Sequence, residues 1–323
     1  MNSKVKRIGV LTSGGDAPGM NAAVRAVARS ALSKGIEVVG IRRGYAGLLA
    51  GDIFDINLRS VSNIIQNGGT FLYSARLPEF ANDSVQNMGV AKCKEYGIDG
   101  LVVIGGDGSF RGAAALSAKG IPCIGIPGTI DNDISASEYT IGFDTALNCV
   151  MEMVDRIRDT SQSHERCSVV EVMGRRAGYI ALQSAIATGA TCVLIPEVPM
   201  PYDEILKKIN ESRATGKSHF IIIIAEGVGG AQELTRKIEE DTGIVSRCTI
   251  LGHVQRGGSP TVRDRVMASE MGSYAVNLLS KGIGNRVVVV QQGKVTDFDI
   301  QQSLQMKKEF PMDLYKISYD ISI

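Results

Sequence analysis

Three carboxylates stand in two glycine-rich stretches that follow apolar β-type runs, and they are the residues of this chain best suited to chemistry. The first stretch, Gly105-Gly106-Asp107-Gly108-Ser109, follows the run 101–104. The second, Gly128-Thr129-Ile130-Asp131-Asn132-Asp133, follows the run 122–126. A helical segment, 112–119, lies between them, so the unit reads strand–turn–helix–strand–turn. In an open parallel sheet, turns at the carboxyl ends of neighbouring strands lie side by side and form the ligand crevice. Asp107 is therefore expected near Asp131 and Asp133, beside glycine amides that no side chain crowds. Such a site suits a metal-bound polyphosphate and a proton acceptor. An ordinary βα connection, with glycine at positive φ and aspartate capping the next helix, accounts for either stretch alone. It accounts poorly for the pair, because three acids at one sheet edge repel each other unless a cation or a proton-acceptor role uses them.

A third turn, Ser13-Gly14-Gly15-Asp16-Ala17-Pro18-Gly19-Met20-Asn21, follows the predicted strand Arg7–Thr12. Gly14 and Gly15 open amides at the start of a helix over 22–34, an anion site by geometry, with Pro18 fitting its first turn. The Gly14-to-Gly19 spacing matches a Walker A loop, but Met20-Asn21 replaces its Lys-Ser/Thr. Arg25 and Arg29 share a face of that helix, which by itself a solvated surface explains better than a ligand does. Gly68-Gly69-Thr70 and Ser74-Ala75-Arg76 form a further glycine- and hydroxyl-rich connection.

The second half supplies Arg166, Arg175, Glu226, Arg247, His253 and Arg256 on strand ends and turns. Arginine forks and a histidine suit a sugar phosphate, and a carboxylate suits its hydroxyls. No GxSxG elbow supports a Ser-His-Asp hydrolase.

The elements that must position these groups alternate. Strands are expected over Glu37–Ile41, 168–172, 191–195, Phe220–Ala225 and 286–290. Helices are expected near 61–66, 85–96 and 145–161, up to about 187, and over Tyr202–Ala214 and 261–279, with 44–51 a glycine-punctuated connection. The fold class is α/β: two doubly wound three-layer domains with mainly parallel sheets and the active site in the cleft between them. The larger domain is expected to span 1–141 plus 254–305 and the smaller 142–253 plus 306–323.

Composition narrows the function. With 323 residues the chain can bury a large core, and 44% apolar with 21% charged residues is ordinary for a soluble protein. A net charge of +1 gives no footprint for nucleic acid or an anionic membrane. Six cysteines without CxxC spacing read as reduced thiols of a cytoplasmic protein. No signal peptide is read at the N-terminus, and no apolar stretch reaches the roughly 18 residues of a membrane span.

Five motifs, SGGDAPGMNAA, GGDGS, PGTIDND, the MGR turn at 173–175 and LGHVQRGGSP, together resemble the bacterial ATP-dependent 6-phosphofructokinases over essentially the whole chain. A lone GGDG also resembles NAD kinases and lipid kinases. The resemblance implies that Gly15, Arg76, Leu77, Gly106, Asp107, Gly108 and Ser109 hold ATP, with Asp107 serving Mg²⁺. Thr129, Ile130, Asp131 and Asp133 would surround the reacting hydroxyl of fructose 6-phosphate, with Asp131 the general base and Gly15 part of the catalytic set. Met173, Gly174 and Arg175 would position the sugar and the transferring group. Glu226, His253, Val254, Gln255 and Arg256 would bind the sugar phosphate, joined by Arg166 and Arg247 from a neighbouring subunit of a homotetramer. Glycine at 108 and 128, where pyrophosphate-dependent relatives carry aspartate and lysine, implies ATP as donor. Arg25, Arg29, Arg158 and Lys217 match contacts to an ADP or phosphoenolpyruvate effector. Leu58, Thr191 and Thr215 depart from the arginine, glutamate and lysine usual there, so blunted or altered allostery is expected. The alternatives are a GGDG-type kinase with another acceptor and a catalytically silent nucleotide-sensing subunit.

Overall fold

Strands covered on both faces read as unbroken apolar runs, and the four isoleucines and alanine after Phe220 are the plainest case: every residue of Phe220–Ala225 is buried. The computed structural model describes residues 5–322. In chain order it contains β1 (Arg7–Thr12), α1 (Met20–Leu32), β2 (Glu37–Ile41), α2 (Gly44–Ala50), β3 (Ile53–Ile56) and α3 (Asp83–Glu95). There follow β4 (Gly100–Gly105), α4 (Asp107–Ala118), β5 (Cys123–Pro127), α5 (Phe143–Ser163), β6 (Cys167–Val172), α6 (Tyr179–Thr188) and β7 (Cys192–Leu194). The rest comprises α7 (Tyr202–Ala214), β8 (Phe220–Ala225), α8 (Ala231–Thr242), β9 (Ser246–Ile250), α9 (Val262–Ser280), β10 (Arg286–Gln291), β11 (Lys294–Asp299), α10 (Ile300–Gln305) and α11 (Met312–Asp320).

The elements divide into two units. The larger holds the chain through Ile130, Ile134–Thr145 and Arg256–Lys308; the smaller holds Asp131–Asp133, Ala146–Gln255 and the chain from Glu309. In the larger unit a seven-stranded sheet runs β11-β10-β5-β4-β1-β2-β3. Its inner pairs are parallel, and β2–β3 and β10–β11 close the edges antiparallel. From β1 the chain moves outward to β2 and β3, then returns to β4 on β1's other side. The topological switch point therefore lies between β1 and β4, paired in the register Val10↔Val102. Leu11, Ile41, Leu101, Phe110 and Leu116 are fully buried in one core on this sheet. On α9, Gly272 lets α1 approach closely, since a Cβ there would stand 2.7 Å from the Ala26 Cβ.

The smaller unit carries an all-parallel four-stranded sheet, β7-β8-β6-β9. Val169, Phe220, Ile222, Ile209 and Ile238 fill its core.

The structure corrects several sequence expectations. Residues 61–66 are turns, not a helix: Asn57 Oδ1 accepts from the amides of Arg59 (2.8 Å) and Ser60 (3.0 Å), and Asn63 sits at φ 60°. The glycine-punctuated stretch 44–51 is instead α2, stopped by Gly51 in the left-handed region. Pro18 stands outside α1, whose N-cap is Gly19. Helix α4 begins five residues before the expected start, so Asp107, Gly108 and Ser109 form its first turn. The three residues Asp131–Asp133 group with the smaller unit, inside the span 1–141 expected for the larger one.

Candidate active site

At the switch point of the larger unit, the ends of β1 and β4 are locked together. The Ser13 amide donates to the Ile104 carbonyl (2.9 Å), and the Ser109 hydroxyl donates to the Ser13 carbonyl (3.1 Å). Gly105 permits this approach, since a Cβ there would lie 2.4 Å from the Ser13 carbonyl oxygen. The 73–76 stretch is bound to the same turn. Thr12 Oγ1 donates to the Tyr73 carbonyl (2.7 Å), Ser74 Oγ to the Gly14 carbonyl (2.7 Å), and the Gly14 amide to the Ala75 carbonyl (3.4 Å). Arg76 follows directly and is exposed, with Leu77 half-buried.

Gly106 caps α4 in an extended conformation, so Asp107 lies in the first turn, at the positive end of the helix dipole. Gly108 is exposed, and a Cβ on it would meet nothing within 4 Å. From beneath, Tyr45 supports this turn: its buried hydroxyl donates to the Ser109 carbonyl (2.6 Å) while its ring stacks on Phe80. Arg256 reaches the β1 turn too, donating from Nη1 to the Asp16 carbonyl (3.0 Å). The loop after β5 runs beside the β4 turn, with the Gly128 amide donating to the Gly105 carbonyl (3.0 Å). Thr129 is fixed at both backbone groups, its amide donating to the Ile141 carbonyl (3.1 Å) and its carbonyl accepting from Thr140 Oγ1 (2.6 Å). Ile130 behind it is fully buried.

In the smaller unit most of the candidate side chains collect at the carboxyl ends of β6, β8 and β9. The Glu226 amide donates to the Val172 carbonyl (2.8 Å), and Glu226 Oε1 accepts from the Arg175 amide (2.5 Å). Burial, reinforced by Glu226, raises the Glu171 carboxyl above its ordinary range. Gln255, fully buried, accepts at Oε1 from the Met173 amide (3.2 Å) and so ties the LGHVQR turn to the MGR turn. His253 and Val254 in that turn are exposed. Gly174 at φ 136° uses the freedom of glycine, and Arg175 at φ 58° is a strained backbone position of the kind that clusters at functional sites. The Arg175 guanidinium stands 3.9 Å from the Asp133 carboxylate. Asp131 is 7% exposed, and Asn132 beside it has φ 52°.

Arg166 and Arg247 are not part of this gathering. Arg166 immediately precedes β6, and Arg247 pairs with Ser168 at the amino end of the sheet. The six residues of β6 put about 16 Å between that end and Met173. The effector candidates divide between units. Arg25 and Arg29 lie on α1, where burial and then Arg29 lower the Arg25 pKa. Arg158 on α5 donates to the Thr188 carbonyl, and with burial as the larger cause it lowers the pKa values of Lys217 and His219. Leu58 is 52% exposed, Thr191 is buried, and the Thr215 hydroxyl turns back to the Ser212 carbonyl (2.7 Å). Sequence reasoning missed Tyr45 and Asp264, whose partners lie 64 and 125 residues away and leave no local pattern.

Among the described residues no three His, Cys, Asp or Glu side chains gather as a metal cage, no helix is long and apolar enough to cross a membrane, and all six cysteines are free thiols.

Two doubly wound units, with glycine-opened turns and acids at their carboxyl edges, define an α/β enzyme. The chain belongs to the phosphofructokinase family, whose model matches residues 7–279. It is 54% identical over 319 residues to a Bacillus cytotoxicus protein named ATP-dependent 6-phosphofructokinase, covering 99% of this chain and 100% of that one. A Clostridium acetobutylicum protein of the same name is 55% identical over 318 residues, covering 98% and 100%. The solved phosphofructokinase of Saccharomyces cerevisiae superposes with a TM-score of 0.88 at 34% identity over 98% of this chain, which spans 48% of the yeast chain. A pyrophosphate-dependent phosphofructokinase from Marinobacter aquaeolei, at 21% identity and a TM-score of 0.85, shares the fold.

Proposed function

We propose that this protein transfers the γ-phosphoryl group of ATP to the 1-hydroxyl of fructose 6-phosphate, giving fructose 1,6-bisphosphate and ADP in the cytoplasm. The observation that carries the reading is the joint of Ser13, Gly105 and Ser109 at the switch point, which sets a glycine turn against a helix N-terminus headed by Asp107. That edge is built for polyphosphate.

Donor recognition is assigned to the larger unit. Gly14 and Gly15, Arg76 and Leu77, and Gly106 through Ser109 would bind the nucleotide. Asp107, one carboxylate without a cage around it, fits a Mg²⁺ ion that takes its remaining ligands from phosphate and water. Bound there, the ion would neutralise charge on the transferring group. The open space at Gly108 favours a nucleotide over pyrophosphate, because no side chain intrudes where further phosphate atoms must pass.

Acceptor recognition is assigned to the smaller unit together with Arg256. His253, Val254, Gln255 and Arg256 would hold the 6-phosphate and Glu226 the ring hydroxyls. Asp131 would take the proton of the 1-hydroxyl as its oxygen bonds to phosphorus and the bond to the ADP oxygen breaks. Thr129 and Ile130 precede that base, and Asp133 would orient Arg175, whose cation would meet charge spread over the phosphoryl oxygens. Arg166 and Arg247, at the far end of the small sheet, would serve the sugar phosphate of a neighbouring copy in a homotetramer.

Arg25, Arg29, Arg158 and Lys217 would bind an ADP or phosphoenolpyruvate effector. The absence of cation or carboxylate at Leu58, Thr191 and Thr215 supports a weakened response. The test of the whole reading is fructose 1,6-bisphosphate formation with Mg·ATP and, in parallel, Mg·pyrophosphate. Turnover with ATP alone is expected; turnover with pyrophosphate overturns the donor assignment, and silence with both overturns the reaction.

A further inference from the structure

Asp264 is fully buried in the first turn of α9, and none of the roles above uses it. With Thr261 as N-cap, an acid at this position would ordinarily turn back to the amide of the cap itself. Instead its carboxylate faces segment 139–145. Oδ1 accepts from the Tyr139 hydroxyl (2.5 Å) and the Gly142 amide (2.7 Å), and Oδ2 from the Thr145 amide (2.9 Å) and hydroxyl (2.5 Å). The Thr261 amide donates to Thr145 Oγ1 (3.1 Å) in its place. Four donors on one buried carboxylate make a set of charge-assisted bonds that no neutral side chain reproduces.

Residues 134–142 form no helix or strand beyond an isolated bridge, Gly128↔Ile141, so their position depends on such contacts. This segment lies against both functional turns of the larger unit. Toward β5, the Ile141 amide donates to the Pro127 carbonyl (2.9 Å), and Ile141 and Thr140 hold Thr129 as described. Toward β1, a Cβ on Gly19 would stand 2.7 Å from Ile141 Cγ2 and 3.5 Å from the Asp264 Cβ, and a Cβ on Gly142 would stand 2.7 Å from the Ala17 Cβ.

We propose that Asp264 is a positioning residue for phosphoryl transfer. It clamps 139–145 into a brace that sets the backbone of Thr129, two residues before Asp131, and the back of the Gly14–Gly19 turn. The carboxylate itself touches no reacting atom. The inference rests on the reading of Thr129 and Asp131 as catalytic groups, and a misplacement of either loop by a fraction of a bond length would slow transfer without weakening binding.

Two variants test it. Tyr139→Phe removes one donor and keeps the ring; Asp264→Asn keeps the shape and sets an amide NH2 against one backbone N–H, that of Gly142 or of Thr145, while the hydroxyl beside it must turn from donor to acceptor. The expected result is a fall in kcat of about 3- to 10-fold for the first and about 100-fold for the second, with KM for both substrates within about two-fold of the parent. Hydrogen exchange on the ligand-free protein should show faster exchange of the Thr129 and Ile141 amides, with β1 and β2 unchanged. Parent-like kcat in Tyr139→Phe and Asp264→Asn, or a loss that only matches a fraction of unfolded protein, overturns the proposal. If the parent itself does not phosphorylate fructose 6-phosphate, the reaction assignment falls, and unchanged exchange at Thr129 and Ile141 would then sink the brace independently.

Discussion

Arg256 lies across Gly15: a Cβ on that glycine would sit 2.6 Å from the guanidinium Nη1 and 3.2 Å from Cζ. The glycine therefore makes room for a cation assigned to the sugar phosphate, besides opening an amide in the turn. Gly15→Ala should push the flexible end of Arg256 aside and strip the Asp16 carbonyl of its donor. A rise in KM for fructose 6-phosphate of about 10-fold is expected, in line with losing one charge-assisted hydrogen bond. Steady-state kinetics and a thermal scan check this; an unchanged KM would separate Arg256 from the phosphate.

Asp131→Asn removes the proposed base and keeps its size. Turnover should fall by about 10²- to 10⁴-fold while KM for both substrates changes little. Rapid-quench measurement of the chemical step decides it, and parent-like turnover removes Asp131 from the role.

The two donor positions should respond differently. Gly108 faces open space, so Gly108→Asp should leave stability within about 0.5 kcal/mol. The new carboxylate beside Asp107 should nevertheless raise KM for ATP by about 10-fold or more through like-charge repulsion. A Cβ on Gly128 would meet Ile104 Cγ2 at 3.0 Å and Met20 Cε at 3.1 Å, so Gly128→Lys should cost about 1–3 kcal/mol from overpacking alone. Denaturant titration of both variants tests the contrast.

Arg166 and Arg175 stand at opposite ends of β6, so the proposed site takes Arg166 from a neighbouring copy. Asp131→Asn and Arg166→Ala protomers, each nearly inactive alone, should recover measurable turnover when co-expressed, because mixed assemblies contain sites with neither lesion. No recovery in verified hybrids would overturn the shared site.

Burial, then Arg158 and Lys217, lowers the His219 pKa from its ordinary 6.5. The unfolded chain therefore takes up this proton first as pH falls. The group's stability contribution is complete above the unfolded value and is lost as pH falls from it through the folded one. His219→Gln should flatten the decline in unfolding free energy below about pH 6.5. An identical decline in the variant would assign the slope to other groups.

Much of the joined β1 and β4 edge was legible because its signals are local. Glycines before Asp107 and after β1, apolar runs of strand length, and the Gly-Pro punctuation around Asp16 lie within a few residues of one another. Strands β1, β2 and β8 and helix α7 match their expected bounds for the same reason. The 61–66 segment failed because six residues carry too little periodicity to compete with the Asn57 turn. Helix α2 was hidden by its glycines, which propensity penalises and tight packing demands: a Cβ on Gly44 would stand 2.9 Å from the Thr12 carbonyl oxygen.

By itself, the order of residues determined the α/β class, the turn chemistry and the five motifs that mark the family, since each is written in short-range pattern. Tertiary structure alone decided that Arg166 and Arg247 stand apart from Arg175 and Glu226, that Arg256 covers Gly15, and that Asp264 clamps a segment more than 100 residues away. These depend on strand order and on which helix termini meet, and a one-dimensional pattern carries no such information. Long-range pairing is selected by the packing of the whole core.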